Sequence, residues 1–375
     1  MVAANKMVMR IDEFKLERHL AKHEFTAKYI MGASDCESFA VNEILSERDL
    51  LDLQSFRLGY SESQGSTNLR REISTLFQNV TYDQIIVAVP QESIFLSLNA
   101  LLDPGDEVVV QVPCYQSLCA IPKAIGCKLV NWEPSIVKGK WHWDLDFLRQ
   151  NVNRVTKLII INSPQNPTGA LFTRKEFLEI VDIARVNGCY LFSDEMYRMM
   201  EYRKEDRLPI GSDVYENCIS LCGLSKTFGL GGLRIGWLSV REKGILDRIV
   251  KLKDYTTLSS SSLSEFLGLA ALRKKETLLE RNLGIVERNL KYLDEFFSRH
   301  KNQFTWIRSD AGPVAFVKAN FRFTESFCDD LVKEKGVLVT PGYTFGYGEE
   351  FFRIGFGRRN LPEALGAFED FVNEM

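Results

Sequence analysis

Between residues 84 and 223 short apolar runs recur along the chain: QIIVAV (84–89), EVVVQVP (107–113), KLVNW (128–132), KLIIINSP (157–164), CYLFSDE (189–195) and CISLCG (218–223). They are rich in Val and Ile, too short for buried helices, and lack the strict apolar/polar alternation of a strand with one wet face. They therefore predict strands covered on both faces. Segments with helical periodicity separate several of them. RKEFLEIVDIARVNG (174–188) is the clearest; others run over about Asn68–Asn79 and from about Glu92 to Leu102, where DPGD stops the helix. The alternation predicts an α/β fold, a mostly parallel sheet with helices on both faces. It fades after about residue 240. ETLLERNLGIVERNLKYLDEFFSRH (276–300) reads as one long helix, and GPVAFVKA, FCDDLVKEKGVLVTPG and FFRIGFGR mix strand and helix patterns. This predicts a smaller α+β domain. The first thirty residues read as a polar amphipathic helix leading to a loop near GASDCES, a segment that cannot fold alone. The expected division is a large domain over 40–275 and a small domain made of 1–39 and 276–375.

Composition narrows the function. The 375 residues are 45% hydrophobic and 26% charged, an ordinary globular balance. A net charge of −3, with no dense Lys/Arg run, argues against a nucleic-acid partner. No window approaches the ~18 apolar residues of a membrane span, and the charged start lacks a signal-peptide core. Eight cysteines form no C-x-x-C pair and several sit in strand-like runs, so reduced, buried thiols in a cytoplasmic protein are expected. His19 and His23 are spaced i, i+4 but find no third ligand; surface positions and no metal site are expected.

In an open α/β sheet, ligands bind beyond the carboxyl ends of the strands. There LIIINSPQNPTG delivers Asn166, CYLFSDEMY delivers Asp194 and Tyr197, CISLCGLSK delivers Ser225 and Lys226, and VVVQVPCY delivers Tyr115. The stretch LSKTFGLGGLRIGW (224–237) places two cations, Lys226 and Arg234, in a run otherwise fit for a core. An enclosed lysine amine can form a Schiff base with an aldehyde. An aspartate can keep a pyridine nitrogen protonated, making the ring an electron sink. An arginine flanked by glycines suits a phosphate. Together these groups point to pyridoxal 5′-phosphate. A dinucleotide fingerprint does not fit, because Gly229-x-Gly231 is followed by Arg234 where a third glycine is needed. Tyr115 also reads as a plain core aromatic, Ser225 as a helix cap and Tyr60 as a surface tyrosine.

From about Tyr60 to Arg358 the chain resembles the fold type I aminotransferases of class I/II. The resemblance rests on Tyr60, Gly65, Leu69 and Arg70, then LLDPGDEVVV, PCY, NSPQNPTG, SDEMY, LSKTFGLGGLRIGW and FRIGFGR. It implies that Lys226 carries the cofactor and moves the substrate Cα proton. Asp194 would pair with the pyridine nitrogen, Tyr197 and Asn166 would donate to the ring's phenolic oxygen, and Tyr115 would stack on the ring. Ser225 and Arg234 would hold the phosphate, and Arg353 would grip the substrate α-carboxylate through a planar fork. Tyr60 would reach the phosphate of a neighbouring subunit, implying a homodimer with shared active sites. The implied reaction is transamination between an L-amino acid and a 2-keto acid. Two departures stand out. VPQES (89–93) puts Pro90, which has no N–H, in the phosphate turn, leaving Gln91, Glu92 and the helix N-terminus behind them. Gly223 stands where a serine is frequent.

A narrower resemblance, carried by PCYQSL (113–118), LSKTFGLGGLRIGW and KDYTTLSSS (253–261), is to capreomycidine synthase, a branch that cyclises a 3-hydroxyarginine after β-elimination of water. Asp35 and Glu37 in the N-terminal loop admit two readings: one faces a cationic substrate side chain, or both are solvated loop acids. A degenerate, binding-only protein is disfavoured, because Lys226, Asp194, Arg234 and Arg353 are all present.

Overall fold

The structure is a computed structural model and describes residues 10–321 and 325–374. In chain order the first strands are β1 (Ile85–Ala88), β2 (Glu107–Gln111), β3 (Lys128–Trp132), β4 (Pro134–Val137), β5 (Lys140–Trp143), β6 (Thr156–Asn162), β7 (Tyr190–Asp194), β8 (Cys218–Gly223) and β9 (Gly236–Val240). Strands β4 and β5 form a separate hairpin; the other seven make one sheet in the order β1-β9-β8-β7-β6-β2-β3. Neighbours from β8 through to β3 pair in parallel, whereas β9 runs antiparallel to both β8 and β1. The pleat explains why the strand sequences are apolar throughout. Leu158 and Ile160 of β6 pack in one core with Leu96 and Ile121, while Ile159 and Ile161 pack in another with Phe177 and Ile180. Both faces are covered by helices, so both sets must be apolar.

Beyond the long helix Lys275–Arg299 come β10 (Phe304–Thr305), β11 (Val314–Ala319), β12 (Thr340–Pro341) and β13 (Phe351–Gly355), an antiparallel sheet in the order β10-β11-β13-β12. Its core is rich in phenylalanine, with Phe304 and Phe368 in ring contact with each other and each with Phe296 and Phe352. The N-terminal segment packs on this part: Tyr29 donates its N–H to Gly336 and accepts from Leu338.

Two expectations are corrected and one strand is added. The helix expected over Asn68–Asn79 spans Thr67–Ser74, because the backbone N–H groups of Gln78 and Asn79 turn to the Asp213 carboxylate, at 3.1 and 2.7 Å, instead of continuing the ladder. Gly236–Val240, beyond the last apolar run predicted as a strand, is a further strand of the sheet. His19 is not a surface residue: only 4% exposed, it lies on the helix Lys15–His23 with Nε2 2.8 Å from the Val339 carbonyl. No group of His, Cys, Asp and Glu among the described residues could hold a metal ion, and no helix there is long and apolar enough to cross a membrane.

The segment 32–37 threads between the two sheets. Its path is cut to backbone width: a Cβ on Gly355 would lie 1.5 Å from the Ala33 carbonyl oxygen, and one on Gly229 would lie 2.6 Å from that of Glu37. Hydrogen bonds fix it on both sides, from Cys36 N–H to the Lys226 carbonyl (3.4 Å) and from Glu37 N–H to the Gly357 carbonyl (2.9 Å).

Candidate active site

A cavity of about 420 Å³ opens beyond the carboxyl ends of β2, β6, β7 and β8. Its floor follows from register, because Asn162 and Asp194 end adjacent parallel strands as partners. The Asn162 side chain donates to the Asp194 carbonyl (2.9 Å) and accepts the Asn166 N–H (2.6 Å), so it braces the turn that carries Asn166. Asp194 is buried and accepts the Met196 N–H at 3.1 Å. Burial pushes its carboxyl up to about 7, although the Met196 N–H and the Lys226 charge pull it down.

Lys226 lines the same cavity, and its Nζ donates to Ser34 Oγ at 2.9 Å. Burial lowers its pKa below the usual lysine value, Asp35 opposes that shift and Arg353 adds to it. Tyr197, also buried, donates its hydroxyl to the Ser34 carbonyl at 2.9 Å. Next to Lys226 the Ser225 Oγ is buried without a hydrogen-bond partner. Arg234 lines the same end with its backbone in the left-handed region (φ +56) and a 3.1 Å bond from Nη1 to the Gly231 carbonyl.

Arg353 leaves the small sheet on β13 to reach the cavity and is 1% exposed. Nη1 donates to Asn166 Oδ1 (2.9 Å), Nη2 to the Gly32 carbonyl (2.7 Å), and Nε is buried without a partner. Tyr115 lines the wall, its ring 5.2 Å from Phe14 and its hydroxyl donating to Glu17 at 3.3 Å. Gln91, in the first turn of the helix Pro90–Leu101, also lines the cavity; its Nε2 donates to Ser117 Oγ and its Oε1 is buried and unpartnered.

Two residues expected to hold the cofactor do not reach this cavity. Glu92 turns away, and its Oε1 accepts from the hydroxyls of Thr256 and Thr257. Tyr60 is 92% exposed. Of the N-terminal acids, Asp35 lines the cavity while accepting from Arg358 (3.1 Å), and Glu37 is taken up by Arg359 (3.0 Å). Residues that the motifs did not reveal also line the cavity: Asn162, Ser34, and Leu16, Glu17, Leu20 and Glu24 from the first helix and its end. Asn162 has a sequence signal in retrospect, as the last residue of the KLIIIN strand run. The others depend on where the N-terminal segment lies in space.

A lysine and an aspartate at strand ends of a seven-stranded, mostly parallel sheet, joined by an arginine from a small antiparallel sheet, define the architecture of the fold type I aminotransferases. The chain belongs to the family described as aminotransferase class I and II, whose pattern matches residues 31–368. It is 32% identical to a PLP-dependent aminotransferase from Streptococcus suis, with a TM-score of 0.91 over 98% of this chain and 99% of that one. It is 29% identical to an aspartate aminotransferase of Thermotoga maritima, covering 89% of each chain. Identity is also 29% with the capreomycidine synthase of Streptomyces vinaceus, over 95% of this chain and 92% of that protein. The family uses pyridoxal 5′-phosphate, and the cavity fits that group. It offers an unpartnered buried hydroxyl (Ser225) beside an arginine (Arg234) for a phosphate, an enclosed amine for an aldehyde, and a buried carboxyl for a ring nitrogen.

Proposed function

We propose that this enzyme transfers an amino group from an L-amino acid to a 2-keto acid, with Lys226 as the lysine that binds the cofactor. The observation that carries the reading is the placement of Lys226, Asp194 and Arg353 around one cavity. When bound, pyridoxal phosphate supplies the aldehyde that takes up the amino group and the ring that withdraws electrons from the substrate Cα. The chain's own residues do the rest. Burial disfavours the ammonium form of Lys226, so the amine can act as nucleophile and then hold the proton taken from Cα on Nζ before returning it. Asp194 holds a proton on the ring nitrogen. Tyr197 and Asn166 would serve the ring's phenolic oxygen as donors: Asn166 through the NH2 group left by the bond of its Oδ1 to Arg353, and Tyr197 by turning its one hydroxyl proton away from the Ser34 carbonyl. Ser225, Arg234 and Gln91 hold the phosphate. Arg353 receives the α-carboxylate, and Arg353→Lys, which keeps the charge but loses the fork, is expected to raise KM for the amino donor roughly tenfold or more. Steady-state kinetics with the donor varied check this; an unchanged KM would place the carboxylate elsewhere. A homodimer in which the exposed Tyr60 completes the neighbouring site, and a division into domains at about residues 40 and 275, belong to the same reading.

The visible spectrum of the purified protein tests it. A yellow protein, labelled at Lys226 by borohydride, should bleach with its amino donor and recover with a keto acid. A protein that stays colourless with added pyridoxal phosphate would refute the reading.

A second reading is favoured by one feature of the cavity. Its lining cations are Lys226, Arg234 and Arg353, each already engaged in the scheme above, whereas Glu17, Glu24 and Asp35 add carboxylates. That balance, with Asp35 shared with Arg358, suits a cationic substrate side chain, and the described lining offers no second cation to a dicarboxylate. It agrees with the chain's likeness to capreomycidine synthase and with elimination and cyclisation of a β-hydroxylated arginine. There Cα–H and Cβ–O break and water leaves; a guanidine nitrogen then bonds to Cβ as its N–H breaks, and Cα regains a proton. Glu17→Gln and Asp35→Asn are then expected to raise KM for arginine derivatives about tenfold, a loss of one charge-assisted contact, while neutral amino acids are unaffected. Turnover confined to neutral or acidic amino acids, untouched by either change, would eliminate this second reading.

A further inference from the structure

Ser34 has no part in the scheme above, yet two of its groups meet the reactive end of the cavity. Its Oγ is the one hydrogen-bond partner of Lys226 Nζ among the described residues, at 2.9 Å. Its carbonyl accepts the Tyr197 hydroxyl at 2.9 Å. The fold alone does not require that hydroxyl. It caps no helix, and the backbone of the 32–37 segment is already held by bonds from Cys36 and Glu37 and by the close fit at Gly355 and Gly229. Two residues before Ser34, the Gly32 carbonyl accepts from Arg353 Nη2 at 2.7 Å, so one short segment touches the amine, the tyrosine and the carboxylate-binding arginine.

We propose that Ser34 is a positioning residue for Lys226: its hydroxyl holds the ε-amino group whenever that amine is free of the cofactor, aiming it into the cavity. The inference rests on the reading of Lys226 as the cofactor lysine. Lysine carries its amine on a flexible four-carbon stem, and an amine that must leave the cofactor and then act on a nearby carbon needs a holder. A hydroxyl suits this task better than a carboxylate. It accepts from the ammonium and donates to the neutral amine, so the contact survives both protonation states. It also brings no negative charge, which would reverse the effect of burial and keep the amine protonated.

The test uses cofactor-free protein and the pH dependence of its rate of pyridoxal phosphate capture, read by absorbance, with borohydride reduction and peptide mapping to locate the label. In Ser34→Ala the alkaline plateau rate is expected to fall roughly tenfold, as aim is lost. The midpoint should move to lower pH, since the bond to the charged form is the stronger of the two. With the cofactor bound, the isotope effect from α-deuterated amino donor should rise while KM stays within about twofold of wild type, the pattern of a hindered proton transfer. Ser34→Thr, which keeps the hydroxyl, should restore all three. In the cofactor-free protein the Tyr197 contact is to the Ser34 backbone and persists in both variants, so loss of that bond cannot mimic the effect on cofactor capture. A wild-type rate profile in Ser34→Ala, or a Thr variant that fails as Ala does, overturns the inference while Lys226 keeps its role. A wild-type label on another lysine overturns both.

Discussion

Lys226→Ala is expected to fold, to bind pyridoxal phosphate without a covalent link, and to lose roughly 10²- to 10⁴-fold in turnover, the range that a positioned general base contributes. The fold should tolerate the change, because the amine sits in a cavity and burial already works against its charge. The variant would leave Ser34 Oγ facing space, with no packed core atom removed. Thermal melting should therefore stay near wild type while single-turnover rates collapse. Small primary amines added to the variant should restore part of the activity, since they can enter the space and carry the Cα proton. A variant that retains more than about a tenth of wild-type turnover, far outside the range for a lost general base, would mean that another group moves the proton.

Asp194→Asn separates stability from catalysis. In the cofactor-free protein the Asp194 carboxyl is held at about 7, above its ordinary value of 3.8. The fold thus binds this proton more tightly than the unfolded chain does. The stability linked to it is fully present below the ordinary carboxylate range and is lost as pH rises through about 7. Asparagine removes that dependence. Cofactor-free Asp194→Asn should melt with wild type in acid and above it in alkali. With cofactor the order of merit reverses: an amide cannot hold the ring nitrogen protonated, and turnover should drop roughly 10²- to 10³-fold, as when one preorganised electrostatic contact is deleted. Melting curves at acid and alkaline pH together with kcat check both halves. Equal pH dependence in the two proteins would show that Asp194 is not the buried acid of this fold.

Much of this site was legible because its residues end buried strands. A run such as KLIIIN or CYLFSD announces a strand by composition, and the polar residue after it has few places to go but the sheet's carboxyl edge. Lys226, Asp194, Asn166 and Tyr115 were reached that way, and Arg353 through the resemblance in FRIGFGR. What the sequence concealed depends on chain path. Ser34 and Glu17 lie far from the motifs in sequence and meet them only because the N-terminal segment crosses the cavity. Glu92 lies in the first turn of a helix expected to bind anions, yet its carboxylate faces Thr256 and Thr257. His19 looked solvent-facing in a polar helix because the sheet edge that covers it comes from residues more than three hundred positions later. The reversal of β9 was hidden by its glycine-rich approach.

The tightly fitted slot for residues 32–37 bears on how such an enzyme could change over evolutionary time. With Gly355 and Gly229 pressed against its carbonyls, the segment admits no added bulk from its neighbours and, pinned at both edges, little change in length. Divergence in substrate choice would then be channelled into single-residue exchanges at side chains that face the cavity without holding Lys226, such as Asp35, and into the first helix. Relatives with new specificities would be expected to differ by substitution in this segment and by insertion only ahead of it.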